Sequence, residues 1–210
     1  SYAEGLVWRT MQKASNFKLV GPVGQVRELN GRTSDRAVDI GAVELNTNIP
    51  IAVEVKMARE PIFPWSWELW QLWEAAIQFN AVPVLVMIEG TYILFKTFKV
   101  VGSLGHTTHR QYWNPVAASQ LAPIKDLLGF DNINTGEEVR VSMLRFFQDT
   151  LPDKLLSSQV SFQANSDLIH DYAVNRGLRD EFLDDETRAR FTRQFLAIVL
   201  KTRSSHASKR

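Results

Sequence analysis

The 210-residue chain contains no cysteine, which excludes disulfide frameworks, thiolate zinc sites and cysteine nucleophiles. It also lacks a charge bias: 24 lysines and arginines against 23 aspartates and glutamates leave a net charge of +1. That balance excludes a protein held to nucleic acid by its overall field, so any such contact must come from a local basic patch. No apolar run approaches the roughly 20 residues of a spanning helix. The opening SYAEGLVWRT has no signal-peptide pattern. The expectations are an intracellular, cytoplasmic protein and no membrane partner. There is no internal repeat. What the chain does have is 45% hydrophobic residues, enough for a sizeable core in one compact domain with an extension.

The chain is organised around residues 36–57, RAVDIGAVELNTNIPIAVEVKM. Val38, Ile40, Ala42 and Val43 fill a first run, Asn46, Thr47 and Asn48 break it, and Ile51, Val53 and Val55 alternate through a second, the pattern of a β-hairpin. Polar residues interrupt its strands: Asp39 in the first, and Glu54 with Lys56 in the second. The last two share a face, because side chains two apart in a strand project the same way. Charges half-buried at a sheet are costly unless paired or bound to metal. Two neighbouring carboxylates suit a hard cation, Mg2+ or Mn2+, completed by a backbone carbonyl and water. Lys56 can then help activate a metal-bound water or stabilise charge developing on a phosphate. The other reading of Glu-x-Lys is cross-strand salt-bridge chemistry on an exposed face.

Around the hairpin, residues 2–14 form an amphipathic helix, with Glu4 near its start. Strand material follows at 17–20 and 25–29, then the polar loop NGRTSDR at 30–36. Arg32, Ser34 and Arg36 in that loop are donors suited to a phosphate backbone, or else members of a solvated turn. Next comes WSWELWQLWEAAIQFN, a helix whose core face is Trp65, Leu69, Leu72, Trp73 and Ala76, leaving Trp67 and Trp70 towards solvent or a partner. Residues 81–88, AVPVLVMI, read as a central strand covered on both faces, and 91–101, TYILFKTFKVV, as a returning strand with Lys96 and Lys99 on its rim.

D-x14-E-x-K across two such strands resembles the PD-(D/E)XK nuclease superfamily, which includes restriction endonucleases, Holliday junction resolvases and repair nucleases. The proline that precedes the aspartate in that family is Val38 here. The resemblance covers residues 2–98, and the helix followed by PVLVMI and ILF is most similar to the archaeal Holliday junction resolvase branch. It implies an α/β fold with an αβββαβ core, a mixed central sheet flanked by helices. It further implies that Asp39 and Glu54 hold Mg2+ with the carbonyl of Val55, that Lys56 assists the attacking water, and that Gln71 positions that water or a phosphate. In the resolvase branch a glutamate on the first helix points back at the metal, and Glu4 matches it; a first-turn glutamate favoured by the helix dipole is the other reading.

Residues 103–113 are polar, with His106 and His109 in a loop, and 115–128, 136–150 and most of 154–210 read as helices. This suggests a nuclease core at 1–102 and a mainly helical extension at 103–210 for substrate recognition, dimerisation or sheet cover. Arg188, Arg190 and Arg193 follow an acidic run and suggest a solvated, internally paired helix. The leading functional expectation is a metal-dependent endonuclease of double-stranded or branched DNA in repair or recombination. A restriction or phage-defence endonuclease is the alternative within that class. A non-catalytic nuclease-fold module that binds nucleic acid or assembles, and a plain interaction protein, are alternatives outside it. Two cuts need two active sites, so a homodimer is expected.

Overall fold

Short alternating runs and one continuously apolar run sort this chain into a mixed sheet with helices on both faces. The computed structural model describes residues 1–57, 61–109, 111–112, 133–134 and 141–207, with side chains described except at 111–112, 133–134 and 203–207. Helix α1 (Tyr2–Ala14) starts with a capping box between Ser1 and Glu4 and ends on Ser15 in the left-handed region. Strands β1 (Phe17–Val20), β2 (Val26–Leu29), β3 (Arg32–Val38), β4 (Ile40–Glu44) and β5 (Pro50–Lys56) follow. Helix α2 (Trp67–Phe79), strand β6 (Val82–Met87), helix α3 (Tyr92–Val101) and strand β7 (Leu104–Thr107) complete this part.

The sheet order is β1-β4-β5-β6-β7, with β2 and β3 forming a separate two-stranded ribbon. The β1–β4 and β4–β5 pairs are antiparallel, with Ile40 opposite Val53. The β5–β6 and β6–β7 pairs are parallel. All six residues of β6 are buried, as a central strand with both faces covered requires. One face carries α1 against Ile51, Val53, Val55, Val84 and Val86. The other carries α2 and α3 against Ala52, Leu85 and Met87.

The C-terminal region is helical. Helix α4 (Val141–Arg145) passes through a π turn (Phe146–Thr150) into α5 (Leu151–His170), a second π turn (Asp171–Asn175) follows, and α6 (Asp185–Ala207) ends the described chain. Both cores draw on this region. Phe147 and Leu151 pack with α1, whereas Phe162, Tyr172 and Phe195 pack with α2 and α3. Residues beyond 102 therefore cover both faces of the sheet.

Several expectations are corrected. The first hairpin strand breaks at Asp39: β3 leaves the main sheet to pair with β2, and β4 alone continues beside β5. Residues 91–101 form a helix, not a strand. Leu94, Thr97, Phe98 and Val101 are buried at helical spacing, Thr91 caps the start by accepting from the Leu94 amide, and Gly102 ends it at φ 95°. The β-branched and aromatic content suggested a strand, but the caps and the 3–4 spacing decide otherwise. Within the polar stretch 103–113, Leu104–Thr107 is the fifth strand. Trp70 is fully buried because the C-terminal helices bring Phe195 to 5.1 Å from its ring. Arg188 is also buried, bonded to Asp185 and to the carbonyls of Asp180 and Leu183. The helices expected at 115–128 and 136–140 lie outside the described residues.

Candidate active site

Asp39 occupies the bend where the chain passes from the β2–β3 ribbon into the main sheet. Its carbonyl accepts from the Gly24 amide at 2.7 Å, and its Oδ2 accepts from the Val55 amide at 2.7 Å. The carboxylate is thereby fastened across the start of β4 to the far end of β5. Two residues along the same face of β5, Glu54 and Lys56 meet, Oε1 to Nζ 2.9 Å. The Asp39 backbone in turn favours the charged Glu54 carboxylate, so the bend and the strand end act on one another in both directions.

The electrostatics show that these groups act on one another. Burial, then the charge of Asp39, push Glu54 up to about 7, with Lys56 pulling the other way. Asp39 is raised as well, by burial and by Glu4, while the Val55 amide and Lys56 oppose the rise. For Lys56, burial works against the ammonium, yet Glu54, Glu68 and Asp39 together hold its pKa above the ordinary lysine value. Burial raises Glu4, but bonds from the Ser1 nitrogen and hydroxyl, helped by Lys56, bring it below the ordinary value. Two carboxylates that cannot both ionise freely, beside a retained ammonium, are the arrangement in which shifted pKa values accompany function.

Asp39, Glu54, Lys56 and Glu4, all expected from the sequence, thus belong to one electrostatic group. Val55 belongs to it through its amide, since its side chain is in the α1-side core. The remaining expected residues are placed differently. Gln71 donates from Nε2 to the carbonyl of Arg179 at 3.1 Å, which ties α2 to the C-terminal region. Ser34 is buried, and its hydroxyl accepts from the Arg36 amide at 3.1 Å. Arg32 and Arg36 are exposed on the β2–β3 ribbon that leads into Asp39. Lys96 lies on α3, its ammonium 4.5 Å from the Tyr92 ring centroid, which corrects the expected strand rim.

Two residues were not anticipated. Glu68, in the first turn of α2, is the α2 side chain that acts on Lys56. It is the acidic residue nearest the start of the helix that follows β5, a signal visible in the sequence. Gly24, at φ 86°, passes so close to Glu4 that an added Cβ would lie 3.0 Å from Glu4 Oε2. Its amide fixes the Asp39 carbonyl, so this glycine brings α1 and the bend together.

Among the described residues, no group of three or more His, Cys, Asp or Glu side chains is arranged to hold a metal ion. The donor chemistry nevertheless fits a hard cation: the charge of Asp39 raises Glu54 and that of Glu4 raises Asp39, which is the repulsion a divalent ion relieves. No family model, curated protein or solved structure matches the chain. Function is therefore read from the site. No described helix is long and apolar enough to cross a membrane.

Proposed function

We propose that this chain is a metal-dependent endonuclease that hydrolyses DNA phosphodiester bonds, a PD-(D/E)XK-type nuclease nearest in plan to structure-selective resolvases. The observation that carries the reading is the meeting of Asp39, Glu54 and Lys56 at the bend and the end of β5. The element order supports it: α1, β1, β4, β5, α2 and β6 run as αβββαβ, with three antiparallel strands and a parallel fourth. The β2–β3 ribbon is an insertion in that plan.

Asp39 and Glu54 would hold Mg2+ or Mn2+. Bound there, the ion supplies Lewis acidity and an acidified water. Lys56 keeps its proton because Glu54 stands beside it, so it serves as a charge donor to phosphate oxygens and orients the nucleophile. Glu4 bears on the same group from α1 and would orient a water. Arg32 and Arg36, exposed on the ribbon leading to Asp39, would carry backbone phosphates toward it.

The test is cleavage of a labelled panel: four-way junction, linear duplex, flap, single-stranded DNA and RNA, each with Mg2+ or Mn2+. Cutting that requires metal and disappears in Asp39→Ala and Lys56→Ala, with both variants folded, bears the proposal out, and the preferred substrate names the branch. Binding without cutting under any metal would leave a nuclease-fold binding module.

A further inference from the structure

A large cleft among the described residues lies away from the carboxylates. It has a volume of about 970 Å3 and wraps the edge strand β7 between α3, α4 and α5. Asp39, Glu54, Lys56 and Glu4 do not line it. Among the described residues its lining has an unusual balance for a chain of net charge +1: Lys99, Arg145 and Lys154, seven serines or threonines, and no aspartate or glutamate. All three cations are exposed, and none of them forms an ion pair among the described residues. Asp149 and Asp153, close to them in sequence, do not reach the cleft lining.

Two further features refine the ligand. His106, on the wall formed by β7, has a buried Nε2 with no hydrogen-bond partner among the described residues, although buried polar atoms are nearly always bonded. Its ring stacks on Phe146, 4.9 Å between centroids and 25° between planes. Burial, with His109 adding to it, depresses His106 to about 4, so the ring is neutral and offers one N–H and one lone pair. Phe95, Phe98 and Phe146 supply apolar surface beside the cations and hydroxyls. Clefts of roughly 300–1,000 Å3 with apolar walls and a few convergent polar groups are the form of small-ligand sites. Three cations with hydroxyl donors select phosphate, and flat apolar walls select a planar ring.

We propose that this cleft binds a nucleoside phosphate, with Lys99, Arg145 and Lys154 on the phosphate and the phenylalanine walls around the base. The proposal is independent of the nuclease reading, because no residue is shared between the two sites. Each cation contacts phosphate from a different helix, α3, α4 and α5, so binding adds a tie between α3 and the continuous α4–α5 segment, which Asn165 already bonds to the Val100 and Val101 carbonyls.

The experiment is calorimetric titration of the full chain with AMP, ATP, adenosine and inorganic phosphate in EDTA, repeated on Asp39→Ala. The metal-free buffer and that variant keep a nucleotide held at the carboxylates from being counted. AMP or ATP binding at least tenfold tighter than adenosine and than inorganic phosphate is expected. The double variant Lys99→Glu/Lys154→Glu should lose at least tenfold in affinity with its melting temperature unchanged, since both side chains are exposed. A shift of the His106 ring nitrogen signals on saturation is a second readout, one that a purely structural histidine would not give. Absence of nucleoside phosphate binding, equal affinity for adenosine, equal affinity for inorganic phosphate, or unaltered affinity in the double variant would each overturn the proposal. Tighter binding of a DNA duplex than of AMP, lost in the same variant, would overturn it in favour of nucleic acid.

Discussion

Replacing Glu54 by glutamine tests the central electrostatic claim without cutting into the core. In the folded chain Glu54 is raised from an ordinary 4.5 to about 7. Between those values the folded state holds a proton that the unfolded chain has released, so stability falls as pH rises through this window. The contribution is fully present below 4.5 and lost above about 7. At ~1.4 kcal/mol per pKa unit, the whole loss is about 3 kcal/mol, net of the attraction from Lys56. A glutamine side chain carries no charge at any pH and removes that loss. Urea denaturation of both proteins at pH 4 and pH 8 should show the variant gaining about 3 kcal/mol on the wild type across the interval. A constant difference, within about 0.5 kcal/mol, would refute the raised pKa of Glu54. The same comparison at pH 8 reads out metal. For a site with a Kd of about 1 mM, roughly 10 mM Mg2+ stabilises the wild type by about 1.4 kcal/mol by mass action. The gain should shrink in Glu54→Gln; an equal gain in both proteins would move the metal away from these carboxylates.

Other perturbations follow from packing and hydrogen bonding. Gly102→Ala should cost about 3 kcal/mol or more in urea denaturation: the residue has φ 95°, and an added Cβ would press on the backbone of Ser158 and Phe162. Trp70→Ala should cost about 3–5 kcal/mol, because its ring is fully buried between Trp73 and Phe195 and its Nε1 donates to the Pro64 carbonyl. Glu44→Ala should cost about 2–4 kcal/mol, since its buried carboxylate accepts from the amides and side chains of Asn46 and Thr47 and so shapes the β4–β5 turn. Burial raises Glu44, but those bonds prevail and hold its pKa below the ordinary 4.5. This contribution is therefore present above 4.5 and lost as pH falls, the opposite sign to Glu54, and a pH series on Glu44→Gln measures it.

Local patterning alone determined much of this protein. Period-2 alternation in Ile51, Val53 and Val55 identified β5, the unbroken run at 81–88 identified a two-sided central strand, and Asp39, Glu54 and Lys56 stood out as charges where apolar residues belong. Each is legible because the burial of one strand face follows from spacing within a few residues. The acidic Glu68 at the head of α2 and the cap signals of Thr91 and Gly102 were also present in the sequence, and they outweigh the β-rich composition of 91–101. Tertiary structure decided the rest. A fully buried Trp70 depends on how α5, α6 and the turns between them fold over α2, through contacts separated by a hundred residues or more. The bend at Asp39 depends on a bond from Gly24, and the phosphate-suited cleft gathers Lys99, Arg145 and Lys154 from three helices around an edge strand. Spacing along a chain reports which face of one element is apolar; which charges then meet across elements is set by packing, where distant residues compete for the same face.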